Sequence, residues 1–69
     1  MKAVYSGRVA SFDDFVGRGQ IEARGGLQFP FHCTAIADGS RTVEPGRRVR
    51  FDVVPGLSGR WEAARVEKL

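Results

Sequence analysis

The chain reads as a small all-β barrel or sandwich of five antiparallel strands. Nine Gly and three Pro divide its 69 residues into short runs rich in β-branched and aromatic side chains. No stretch sustains a helical period, and turn-forming residues return at short intervals, as they do in small barrels and sandwiches. At this length one domain is expected, spanning residues 1–69.

The first strand is expected over residues 3–12, stopping at Asp13-Asp14. The second covers 16–23 and ends at Arg24-Gly25-Gly26, where glycine supplies positive φ. The third covers 27–33. There Phe29 and Phe31 alternate with Gln28, Pro30 and His32, so both Phe rings face one side. Pro30 cannot donate to a ladder, so its nitrogen should face outward or sit at a bulge. Thr34-Ala35-Ile36 reads as a single helical turn, followed by a polar loop over 37–41 and a turn at Glu44-Pro45-Gly46. The fourth strand, 48–54, points Val49, Phe51 and Val53 inward and Arg48, Arg50 and Asp52 outward. A loop over 55–59 precedes the last strand, 61–66.

Composition excludes several functions. Cys33 is the only cysteine and His32 the only histidine, so no intramolecular disulfide and no zinc cluster can form. No cofactor and no metal are expected. Without a signal-like leader or an apolar run of spanning length, the expectation is a cytoplasmic protein with no membrane partner. An enzyme is not expected. Asp13 and Asp14 are neighbours in a turn, and His32 and Cys33 should point to opposite faces of a strand. Gly17-Arg18-Gly19 lacks the Lys-Ser/Thr of a phosphate loop. The net charge of +3, carried by nine Arg and two Lys, favours polyanions or serves solubility alone.

The run Val16-Gly17-Arg18-Gly19-Gln20-Ile21 has the glycine frame of a nucleic-acid-binding strand without its aromatics. Further matches are Gly7, Val9 and Phe12, then His32, Ala35 and Ile36, then Thr42, Gly46, Val49, Phe51 and Val53, and last Ala63, Ala64 and Val66. In order and spacing these residues make the chain resemble the cold-shock domain, from Gly7 to Val66. The resemblance implies a five-stranded antiparallel OB-fold barrel that binds single-stranded RNA or DNA through two RNP motifs. It also implies a role in RNA chaperoning or the regulation of gene expression. The aromatics through which that family stacks bases are mostly replaced. The strand-one Trp is Ser11, the first-motif Phe residues are Arg18 and Gln20, the second-motif Phe residues are Pro30 and Cys33, and a loop aromatic is Ser40. Phe12 and His32 remain. At ~1–3 kcal/mol per stacked base, losing about three to five such contacts costs at the low end roughly 3–5 kcal/mol, a factor of about 10²–10⁴ in affinity.

The residues expected to carry any remaining binding are Arg8, Phe12, Arg18, Gln20, Pro30, His32 and Trp61. A guanidinium at Arg18 could stack on a base and reach phosphate, and Arg8 should also face outward; each could equally be a solubilising surface charge. His32 could stack or hydrogen-bond a base, or be a surface histidine with no role. Trp61 is either a relocated platform or, more in keeping with a lone Trp in a small barrel, a core residue or a cap on the barrel end. Arg47, Arg48 and Arg50 form a basic run that holds phosphate or an acidic protein, or is simply solvated. The expected partner is therefore single-stranded RNA or DNA, bound weakly by a monomer. The alternative is a barrel turned into a protein-interaction module, with Ser11, Gln20 and Pro30 on the contacting face.

Overall fold

A computed structural model describes residues 4–56 and 59–69. Ala3, at the expected start of the first strand, and Leu57-Ser58, in the expected last loop, lie outside them. Five strands form one antiparallel sheet: β1 (Val4–Asp13), β2 (Arg18–Ala23), β3 (Gln28–His32), β4 (Arg48–Pro55) and β5 (Trp61–Lys68). Their order is β3-β2-β1-β4-β5. The sheet coils until its two edge strands, β3 and β5, approach each other, and a bridge from Ile36 to Val66 holds the closure. This is the small OB-fold barrel that the turn spacing and the resemblance anticipate.

Alternation sets the core. Ile21 and Ala23 of β2, Phe29 and Phe31 of β3, Val49 and Phe51 of β4, and Ala63 and Val66 of β5 all point inside. Val53 is half-buried against them, and Val43 drops in from the long loop between β3 and β4. Tyr5 stacks on Phe51 at 5.9 Å and tilts onto Phe29 at 5.8 Å, closing one end of the barrel.

Two bulges re-aim side chains. Ala10 is an extra residue on β1, between the pairs Val9–Ile21 and Ser11–Gln20. Unbroken alternation through Ala10 would point Ser11 inward like Val9. With the bulge Ser11 is exposed, and Phe12 turns in to stack on Phe31 at 5.7 Å. On β5, Arg65 and Val66 together oppose Phe51 alone, and Arg65 takes a positive φ of 49° there.

The glycine frame of β2 serves this packing. A Cβ on Gly19 would lie 2.5 Å from the Ser11 carbonyl oxygen and 2.8 and 2.9 Å from the rings of Phe12 and Phe31. Gly17 combines a φ of 75° with the approach of the Cys33 sulfur, 2.9 Å from where its Cβ would be. Both glycines are needed for the barrel whatever the surface binds. Several expected boundaries shift accordingly. Val16 and Gly17 belong to the β1–β2 turn, which Asp13 builds by accepting the N–H groups of Phe15 and Val16. The helical turn begins one residue early, as a 3₁₀ turn over Cys33–Ala35, and β5 continues to Lys68.

Pro30 sits where the pattern of β3 requires. Ala23 donates to the Leu27 carbonyl and Cys33 to the Gly17 carbonyl, so the odd-numbered residues of β3 face β2 for hydrogen bonding. Pro30, opposite Gln20, is out of phase with them. Its nitrogen turns away from β2 towards the seam with β5, where a continuous ladder would need a donor.

Candidate nucleic-acid interface

The outward residues of β1, β2 and β3 lie in rows fixed by register. Asp13, Arg18 and His32 form one row, Ser11, Gln20 and Pro30 the next, and Arg8, Glu22 and Gln28 the third. Four of the expected site residues, Arg18, Gln20, Pro30 and His32, converge on one concavity of about 210 Å³ at the β3–β5 seam. Its far wall is Arg60 and Glu62, which arrive from the other end of the chain. Sequence reading missed these two. The last loop and β5 share no local motif with β2 and β3, and only closure of the barrel brings them together. The one legible signal was a basic residue, Arg60, at the end of a loop that OB folds use for binding.

The concavity carries more positive than negative charge. Arg18 and Arg60 have no carboxylate partner among the described ion pairs, and Glu62 is the single acid in the lining. His32 is held in one orientation. Its Nδ1 accepts the backbone N–H of Thr34 at 3.3 Å and lies 2.9 Å from the Thr34 hydroxyl, capping the 3₁₀ turn. With Nδ1 an acceptor, the neutral ring carries its proton on Nε2, on the side away from the cap. That leaves one N–H and a ring face for a ligand.

The expected opposition of His32 and Cys33 does not hold. Strand alternation ends at His32, the 3₁₀ turn begins at Cys33, and the sulfur lies 3.8 Å from His32 Nδ1. Thr34 already occupies that nitrogen.

The other three expected residues are elsewhere. The Ala10 bulge turns Phe12 inward, so one face of its half-buried ring is spent on Phe31. Arg8 lies opposite Glu22 on one side and Arg48 on the other, and it lines a different concavity. Trp61 is 61% exposed and so is no part of the core. Strand alternation turns it away from the face of Glu62, outside the seam. The most exposed aromatic is Phe15, at 99%, beside Val16 at the tip of the β1–β2 turn.

No family model matches the chain. Individual proteins do. It is 42% identical over 64 residues to cold shock protein CspB of Bacillus caldolyticus, covering 91% of this chain and 96% of that one. Over the same length it is 41% identical to cold shock protein CspB of Geobacillus stearothermophilus, with the same shares covered. Against cold shock protein CspD of Bacillus subtilis the identity is 40% over 65 residues, 93% of this chain and 97% of the relative. Agreement over almost the full length of both partners, on a barrel whose inward residues and glycine frame match that pattern, assigns the family: the chain belongs to the cold shock proteins.

Proposed function

We propose that this protein binds single-stranded RNA or DNA weakly, on the outer face of β2 and β3, with charge in place of stacking. The observation that carries the proposal is the convergence of Arg18, Gln20, Pro30 and His32 on one concavity that Arg60 completes. These are the positions where the RNP motifs would place their ligand contacts. Arg18 and Arg60 supply phosphate contacts and a guanidinium plane for a base. His32 supplies a stacking face and one N–H, and Pro30 and Gln20 supply the floor. A monomer acting in the cytoplasm, in the regulation of gene expression, is the setting we infer from the family.

The test is a titration of ¹⁵N-labelled protein with a short single-stranded RNA and its DNA counterpart, at low and then physiological salt. Shifts concentrated at Ser11, Arg18, Gln20, His32 and Arg60, with affinity falling steeply as salt rises, are expected. No shift even at low salt would overturn the proposal. The second reading, a protein-interaction module, is favoured by Phe15 and Val16, an apolar pair set in solvent on an ordered turn. It predicts little oligonucleotide binding at any salt.

A further inference from the structure

We infer a phosphate-binding site on the β1–β4 side of the barrel, built by Arg8, Arg24 and Arg48 and separate from the seam. It does not depend on the nucleic-acid reading above. Arg8 and Arg48 are direct cross-strand partners, and Arg24 follows β2 immediately beyond their row. All three line one concavity of about 350 Å³, large enough for several phosphate groups.

The charges there are left unbalanced. Three of the nine arginines have partners: Arg47 pairs with Glu44 at 3.0 Å, Arg50 with Glu67 at 2.9 Å, and Arg65 with Asp52 at 3.7 Å. Among the described ion pairs, Arg8, Arg24 and Arg48 have none. Glu22, opposite Arg8, is the only acidic side chain in the lining, and a carboxylate oxygen of the last residue, Leu69, at the rim accepts from Arg47. Like charges directly opposite on neighbouring strands destabilise a sheet. An acid at position 48 would relieve Arg8, as Glu67 relieves Arg50. Three guanidinium groups around one hollow instead match an anion with several oxygens, which each fork can take by paired hydrogen bonds. The phosphates of a nucleic-acid strand and those of a free polyphosphate share this chemistry.

The experiment follows the Nε–Hε signals of the arginines at low salt, in separate titrations with inorganic tripolyphosphate and with a uridine hexanucleotide. Arg8, Arg24 and Arg48 are expected to shift together and saturate with at least one of the two probes, while Arg50 and Arg65 stay still. Response to the hexanucleotide assigns the site to strand phosphates; response to tripolyphosphate alone assigns it to free phosphate compounds. Arg48→Glu should weaken that binding at least tenfold and at the same time raise the melting temperature without ligand, because it pairs with Arg8. Small non-saturating shifts spread over all arginines, or full binding by Arg48→Glu, would overturn the site. Loss of shifts at Arg18 and His32 alone would instead tell against the seam, leaving this site standing.

Discussion

The two faces of β2 differ in what they hold fixed. Gly19, Ile21 and Ala23 point inward, the first two match the pattern of the cold-shock barrel, and every one is buried. Arg18, Gln20 and Glu22 point outward, and two of them stand where that family stacks bases. Six consecutive residues thus carry two messages at alternate positions, one for the fold and one for the ligand. A strand can therefore lose its stacking platform without losing its place in the barrel.

The largest expected effect tests the inner message. Gly19→Ala puts a methyl group 2.5 Å from a carbonyl oxygen and under 3 Å from two rings, none of which can move without disturbing the bulge. We expect a loss of about 3 kcal/mol or more in urea denaturation, a large share of the stability of a domain this small. Gln20→Ala, one residue away, should stay within about 0.5 kcal/mol. Equal losses would show that the two faces are not independent.

The outer message is tested by rebuilding it. Arg18→Phe with Gln20→Phe should raise oligonucleotide affinity at least about tenfold, ~1.4 kcal/mol, and weaken its salt dependence. Unchanged affinity in fluorescence titration would mean that the face no longer presents bases as the family's face does. Arg18→Ala alone should weaken binding several-fold. Arg50→Ala should not, since Arg50 is held by Glu67 on the far side of the sheet. The reverse order of effects would move the interface to β4.

The smallest expected effect concerns pH and lies outside both faces. The backbone N–H and hydroxyl of Ser40, followed by Lys68, hold the Asp38 carboxyl down at about 2. An unfolded Asp titrates near ~3.9. Because the folded value is the lower one, the contribution is complete above pH ~4 and fades as pH falls from there towards 2. Wild type should therefore melt slightly above Asp38→Asn at neutral pH, and the gap should close by about pH 2. A gap that widens in acid would contradict this assignment.

Much of the fold was legible because inward and outward residues alternate along β2, β3 and β4 without exception at Phe29, Phe31, Val49 and Phe51. The orientation of Pro30 followed from its missing N–H. What was not legible depends on closure or on bulges. Ala10 carries no mark of a bulge, yet it decides that Phe12 packs against Phe31 rather than waiting for a base. Arg60 joins Arg18, and Arg8 meets Arg48, only through contacts between distant parts of the chain. Strand periodicity predicts which side of a sheet a residue takes. It is silent about which neighbour a coiled sheet brings opposite.

Pro30 has one more effect, on crowding between molecules. The residues of β3 whose amides turn away from β2 are 28, 30 and 32, and the middle one has no N–H. A strand from a second molecule trying to add at this edge would find its ladder interrupted at the centre of a five-residue template. The seam can thus stay open to a ligand while resisting an intruding strand. Pro30→Val, which restores the donor, is the substitution by which this barrel would begin to aggregate edge to edge.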